Sequence, residues 1–386
     1  MTTLTFYELP ETISGAYLGL TLDSPRALDG AVFADATTIS ARLSFLAGAT
    51  YDVILEGDFI YGGLGTLKGT VTSITFSVEG YTELSIPDLS EDAAKLWLTM
   101  MSDVTPFLSE LLDGDDVIVA ASNALHIKIG DGNDDVTGSP QADRIDGDDG
   151  DKILRGLGGD DILKAGSGND TLLGGEGNDQ LSTGDGNDVL IGGNGDDILR
   201  SGAGRNLLKG GAGDDELSGG IQRDKLHGGT GDDKLSGRAG NDRLFGDSGN
   251  DRLLGDDGRD LLSGGDGNDI LDGGAGRDEL IGGDGDDTLV GQYGDDILTG
   301  GDGADEFLFP WFRKARGHGH GDYVITDFDP TEDNIRLHSR YNPITLTQID
   351  TDVLITSELG ISTITIQNVL VSELEDTISI VGRLHW

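Results

Sequence analysis

Residues 174–200 read GGEGNDQLSTGDGNDVLIGGNGDDILR, in which Asp179, Asp188 and Asp197 return every nine residues, each two places before a leucine. Extended both ways, this Gly-Gly-x-Gly-x-Asp-x-Leu-x beat runs from Ile129 to Leu308 without insertion or deletion. Its sixth position supplies Asp134, Asp143, Asp161, Asp170, Asp179, Asp188, Asp197, Asp215, Asp224, Asp233, Asp242, Asp251, Asp260, Asp269, Asp278, Asp287, Asp296 and Asp305, and departs from aspartate at Lys152 and Asn206. Carboxylates and turn carbonyls are oxygen donors only, and the chain has no cysteine. Such a donor set suits a hard cation with six or more flexible ligands, which favours calcium over zinc or copper.

The eighth position is apolar in every nonamer, from Val136 to Phe307. A disordered acidic linker would have no reason to keep that phase, because a slip would cost it nothing. A stacked structure would lose its core, since a one-residue slip turns each leucine to solvent. Glycines at positions 1, 2 and 4 permit positive φ and close backbone approach, so the first six residues are expected to turn. The last three, x-apolar-x, make a short strand with one side chain inward. Two nonamers form one 18-residue coil, and stacked coils bury a ladder of leucines. A weaker preface over 111–128 keeps the phase at Asp116, Ile118 and Ile127.

Stacking brings each position-6 aspartate to about 4.8 Å from the next one in its column. That pair repels by roughly 3.5 kcal/mol at an effective dielectric near 20. A buried leucine contributes only about 1.5–3 kcal/mol. The bare stack is therefore unfavourable, and a divalent ion between coils reverses the sign. Leucine and aspartate share one beat because core and ion belong to the same turn.

At these residues the chain resembles the RTX, or hemolysin-type, calcium-binding nonapeptide repeat proteins. The resemblance implies a mainly β fold: a right-handed parallel β-roll of about ten 18-residue coils. It also implies a ligand set. One turn gives the carbonyls of positions 2 and 4 and its aspartate, as Gly175, Gly177 and Asp179. The turn 18 residues later gives the carbonyls of positions 1 and 3 and its aspartate, as Gly192, Asn194 and Asp197. About 10–18 Ca2+ ions are expected by this pattern. The departures fall at Gln141 and Gln222 in position 4, at Lys152, whose ammonium could take an ion's place, and at Asn206. Gaps are expected near 138–155 and 201–227. The resemblance further implies one-step type I export through an uncleaved C-terminal signal, and so a secreted or cell-surface protein of a Gram-negative bacterium.

Composition agrees with a cation-binding role. The formal charge is −45, from 71 acids against 26 bases, and residues 129–308 hold 42 of those acids and 15 of the bases. Such a polyanion is not expected to partner nucleic acid or anionic lipid. No apolar N-terminal h-region is visible, and no apolar run approaches a membrane span.

Outside the repeats, residues 309–386 alternate as strands, in DYVITDFD (322–329), DNIRL (333–337), VLIT (353–356) and ISTITIQNV (361–369). They read as a β-rich cap over the last open edge. Residues 1–110 read as a separate α+β domain, with strands in YDVILEGDFIYG and GTVTSITFSVEG. Helices are expected over 89–101 and 106–112. The roll is assigned to 111–308.

Other motifs yield to plainer readings. GDSG at 246–249 fills positions 1 to 4 of a repeat turn and needs no serine nucleophile. Neither H-E-x-x-H nor G-x-S-x-G occurs, which argues against the metalloproteases and the usual lipases. His318 and His320, beside Arg313, Lys314 and Arg316, read as a solvated loop. One outer face carries slightly more apolar residues, including Ile153, Leu207 and Ile297, and would suit docking against the N-terminal domain or another copy; a cell-surface or self-association partner is expected but not identified by the sequence. The leading functional reading is a non-enzymatic, exported scaffold that folds on binding extracellular calcium. The alternatives are an enzyme or toxin site, or ligand capture, within 1–110.

Overall fold

The computed structural model describes residues 115, 117–120, 124–309, 321–337, 344–357, 363–374 and 377–380, together with seven strands within residues 2–98. The chain divides into two compact units, Met1–Ile162 and Leu163–Trp386, and each is taken by itself. Apart from a single 3-10 turn at Val371–Glu373, the described residues form strands and turns, with no α-helix among them. No helix of the described residues is long and apolar enough to cross a membrane.

In the first unit, four strands at Ala36–Ser44, Thr50–Gly62, Thr66–Val78 and Tyr81–Pro87 pair as an antiparallel meander. Lys95–Leu98 is a further strand, antiparallel to Tyr81–Pro87 and parallel to Val117–Ala120. A helix was expected over 89–101. The KLWL alternation suits a strand equally well, and the neighbouring strand's open edge decides in its favour, because pairing satisfies backbone groups on both sides. The rest of that expected helix, and the one over 106–112, lie outside the described residues. Val117–Ala120 pairs in turn with Asp135–Thr137, which pairs with Ile153–Gly158, all parallel and 18 residues apart. The meander thus continues edge-on into the first coils, a junction that removes an open edge.

The second unit is a parallel β-solenoid built on the same 18-residue period. Six-residue strands such as Thr171–Glu176, Val189–Asn194 and Leu207–Ala212 stack as one sheet. Three-residue strands such as Gln180–Ser182, Ile198–Arg200 and Glu216–Ser218 stack as the other. Leu181, Leu190, Leu199, Leu208 and their successors to Phe307 are at most 1% exposed, so the core is one continuous file of position-8 side chains. In the first unit Ile118, Ile127, Val136, Ile145 and Leu154 are at most 4% exposed, so the preface keeps the core phase.

Past the repeats the sheets continue without the nine-residue beat. Tyr323–Ile325 pairs with Ile297–Asp302, and Asn334–Leu337 pairs with Glu306–Phe309, both parallel. Thr363–Ile366 and Ile378–Ile380 each add one more parallel strand. An antiparallel turn-back of Ile344–Ile349 and Asp352–Ser357 then closes against Thr363–Ile366. His318, His320 and the bases beside them lie outside the described residues.

Candidate metal centre

Every turn is shaped by what stands at positions 1, 2 and 4. Positions 2 and 4 take positive φ in most turns, as at Gly175 (125°) and Gly177 (117°), but not at Gly184, Gly202, Gly220 or Gly240. Non-glycine residues hold position 2 at Leu157, Arg238, Asp247, Asp256 and Gln292, and still adopt φ between 66° and 81°. Position 1 is different. Its glycines need no positive φ; they leave space, and the chain departs from glycine here at Ile129, Ala165, Thr183 and Ser201. A Cβ on Gly255 would lie 2.5 Å from the Gly273 carbonyl oxygen and 2.7 Å from Asp260 Oδ2. A Cβ on Gly273 would lie 2.8 Å from Asp278 Oδ2 and 3.1 Å from the Gly291 oxygen. The bare Cα leaves a small nest in which the turn's own carboxylate meets a carbonyl from the next coil.

The position-6 aspartates are buried almost completely, at most 3% exposed, and hold two different relationships at once. One oxygen, Oδ1, accepts the backbone N–H of the position-6 residue one coil earlier. Asp197 accepts from Asp179 at 2.7 Å, Asp233 from Asp215 at 2.7 Å, Asp269 from Asp251 at 2.7 Å and Asp305 from Asp287 at 2.9 Å. The second oxygen accepts no hydrogen bond at Asp188, Asp197, Asp215, Asp233, Asp242, Asp251, Asp260, Asp269, Asp278, Asp287, Asp296 and Asp305. Unpaired buried carboxylate oxygens are costly. Loss of water pushes the Asp233 carboxyl up to about 8, with Asp215 and Asp251 adding repulsion against the relief from its backbone bond. Burial likewise lifts Asp197, Asp242, Asp260, Asp269, Asp278, Asp287 and Asp296 to about 7, and Asp215, Asp251 and Asp305 to about 6.

Backbone oxygens face the same gaps. In the pair of turns used as the sequence example, the oxygens of Gly175 and Gly177 lie beneath Gly193 and Gly195, where a Cβ would strike them. From above, the Asn194 carbonyl accepts the Gly177 N–H at 2.8 Å, and the Gly192 carbonyl reaches the Cα of Gly174. The structure therefore brings Gly175, Gly177, Asp179, Gly192, Asn194 and Asp197 to one gap between coils. Among the described residues no three His, Cys, Asp or Glu side chains cluster as a metal site. The donor set is instead paired carboxylates joined by peptide oxygens, which suits calcium.

Where the sequence departs from the beat, the chain supplies its own partners. Lys152 is fully buried, and its ammonium donates to the carbonyls of Gly132 (2.6 Å) and Asp149 (2.7 Å). Asn206 receives the Asp188 N–H at 2.9 Å, and its amide nitrogen reaches the Gly202 and Gly204 carbonyls at 3.3 and 3.5 Å. In the two turns with glutamine at position 4, the carboxylate is filled by the turn itself. Asp143 Oδ2 accepts from Ser139 N–H at 2.5 Å, and Asp224 Oδ2 from Gly220 N–H at 2.7 Å.

Sequence reasoning missed two features. The first is a second ladder at position 5, whose Asn or Asp oxygen accepts the N–H of position 5 one coil later, as from Asp214 to Asp196 (2.9 Å) and Asp232 to Asp214 (2.8 Å). Its signal was present in the frequency of Asn and Asp just before position 6. The second is Asp333, which ends the position-6 column. Its oxygens accept from Asp305 N–H at 3.0 Å and Asp329 N–H at 2.8 Å. The DNIRL phrase, with Asp two before a buried Ile335, repeats the D-x-L spacing.

The model of the RTX calcium-binding nonapeptide repeat matches residues 129–163, 155–190, 191–226, 218–253, 245–280 and 281–308. No curated protein matches the chain. Among solved structures, the AlgE6R3 subunit of the Azotobacter vinelandii mannuronan C5-epimerase is 24% identical, with a TM-score of 0.21, over 41% of this chain and 78% of that one. The extracellular lipase LipA of Serratia marcescens is 21% identical, with a TM-score of 0.19, over 56% of this chain and 40% of its own. Residues 129–308 are thus an array of RTX calcium-binding nonapeptide repeats.

Proposed function

We propose that this chain is an exported calcium-binding repeat protein whose roll folds when it meets extracellular calcium, and that it serves as a non-enzymatic scaffold at the cell surface or in the surrounding matrix. One observation carries the reading: files of buried position-6 carboxylates, most with one oxygen tied to its neighbour's backbone and the other turned into a nest of peptide oxygens. Bound calcium would supply the positive charge that such a nest lacks. The ligands are the position-6 aspartates with carbonyls of positions 1 to 4, at about 10–18 sites. The turns of Lys152, Asn206, Asp143 and Asp224 are the ones expected to stay free of metal.

Binding free energy then becomes folding free energy. At low calcium inside a cell the carboxylates repel and the chain stays loose enough for a type I exporter. At millimolar calcium outside, the coils close. Circular dichroism of the full chain, first in EDTA and then titrated with calcium, tests this. A cooperative gain of β signal supports it; a roll already complete in EDTA sinks it.

A further inference from the structure

The turns of the second unit fall into two files, one on each edge of the solenoid, and the files differ in composition. The turns that close the six-residue strands begin at 174, 192, 210, 228, 246, 264, 282 and 300. They keep glycine at positions 1 and 4 throughout, and their first six residues hold 17 acids and no base. The turns that follow the three-residue strands begin at 165, 183, 201, 219, 237, 255, 273 and 291. Over the same six positions they hold 11 acids and five bases. Ala165, Thr183 and Ser201 put a side chain at position 1 there, and arginine takes position 5 at 205, 223, 259 and 277. An arginine side chain has no acceptor, so it cannot pass on the position-5 ladder. In the first file Asn178, Asp196, Asp214, Asp232, Asn250, Asn268 and Asp286 carry that ladder without a break.

The backbone differs with the composition. In the first file every glycine at positions 2 and 4 has φ between 112° and 136°, and Asp247 at position 2 has 74°. In the second, Gly184, Gly202 and Gly220 at position 2 have no positive φ, and Arg238, Asp256, Gly274 and Gln292 take 66–90°. The carboxylate follows the turn. A Cβ on a position-1 glycine would lie 2.0–2.2 Å from the turn's own Oδ2 in the first file, from Gly174 to Gly300. In the second, from Gly219 to Gly291, the same distance is 2.6–2.8 Å. Arg223, Arg259 and Arg277 share a groove with Asp242, Asp260 and Asp278, so part of the countercharge is already in the chain. At the end of this file a ring carbon of Tyr323 would stand 3.1 Å from a Cβ on Gly291, where one coil earlier Gly273 faces the Gly291 oxygen.

We propose that the two files are two classes of calcium site, one tight and one weak, so that the roll loads in two steps. The proposal rests on the calcium reading above and divides its sites. The tight class is the run of seven gaps between successive aspartates from Asp179 to Asp305, each flanked by two carboxylates. Calcium affinity is set by the number of charged ligands and the rigidity of the site; unopposed acids and one repeated turn supply both. In the second file the exposed guanidinium groups weaken the negative potential at the gaps. Asn206 removes a charge from two gaps, and Asp224 Oδ2 already accepts the Gly220 N–H at 2.7 Å. This file leans on groups of its own chain and takes calcium only at higher concentration.

Equilibrium dialysis of the full chain against rising calcium, with circular dichroism on the same samples, is the test. Bound calcium reaches a first plateau at about seven ions, and further ions enter at calcium about tenfold higher or more. Arg205→Asn, Arg223→Asn, Arg259→Asn and Arg277→Asn together give the second file the residue type of the first. They bring the second step to about tenfold lower calcium and leave the first where it was. Asp196→Asn, Asp214→Asn and Asp232→Asn together keep the position-5 acceptors and remove three charges. They raise the first step about tenfold and leave the second. All seven side chains are exposed, so both variants fold at saturating calcium. One class of equal sites in the unaltered chain, or variants that move neither step or both alike, overturns the proposal. A roll complete in EDTA overturns the earlier folding claim alone, since the steps are counted in ions; a chain that binds no calcium overturns both.

Discussion

The ammonium of Lys152 stands 3.1 Å from Asp134 Oδ2, both side chains fully enclosed, at the place in the coil where another aspartate would otherwise face the first. A fixed cation built into the chain holds this rung closed. Lys152→Met leaves the Asp134 charge and two carbonyls without their donor, and should cost about 3–5 kcal/mol, read as a lower unfolding midpoint at fixed calcium. Lys152→Asp restores the beat. It should make this rung depend on calcium and raise the ion count by equilibrium dialysis; an unchanged count would show that lysine and metal are not interchangeable here.

The two oxygens of one aspartate can be separated by substitution. At position 269, Asn keeps an acceptor for the Asp251 N–H, now 2.7 Å away, but removes the charge. Asp269→Asn should shift the calcium midpoint of folding upward about tenfold while the saturated fold survives. Asp269→Ala loses the acceptor too, and should cost a further ~1 kcal/mol at saturating calcium. Equal behaviour of the two variants would show that the backbone bond carries no weight.

Gly255→Ala tests the nest at position 1. Its methyl would enter 2.5 Å from the Gly273 oxygen and 2.7 Å from Asp260 Oδ2, so the coil must shift. Overpacking of this kind costs about 1–3 kcal/mol, and the accompanying loss of calcium at that rung should appear in the same titration. A Cβ on Gly274 would lie 2.2 Å from the Asp256 oxygen at a φ of 90°, so Gly274→Ala should cost at least as much as Gly255→Ala.

Acid should partly replace calcium. In the metal-free coil, burial holds the Asp233 carboxyl at about 8 and several others at about 7, above the ordinary carboxylate value. A raised folded-state value means that the folded chain holds protons more tightly than the unfolded one. Its stabilising effect is whole below the unfolded value near 4, and is lost as pH climbs through about 7 to 8. In EDTA, folded signal should therefore rise between pH 8 and pH 5. With calcium the order reverses, since bound metal needs the carboxylate bare, and apparent affinity should fall as pH drops below about 7. A metal-free chain equally unfolded at pH 5 and pH 8 would contradict this.

The amino-acid sequence by itself determined the period, the core and the ion chemistry. Position 8 is apolar without exception, position 6 is acidic with two exceptions, and only a stacked coil gives both a reason to keep step. It also marked Lys152, Asn206, Gln141 and Gln222 as the weak rungs, because each changes a donor or a turn in a way that chemistry alone registers. Only the tertiary structure decided how each aspartate is shared. That Oδ1 serves the coil before while Oδ2 enters the nest is a matter of direction, and spacing carries no direction. The same holds for position-1 glycines, needed for room rather than for φ, and for the strand at Lys95–Leu98, which the open edge of its neighbour selected over a helix.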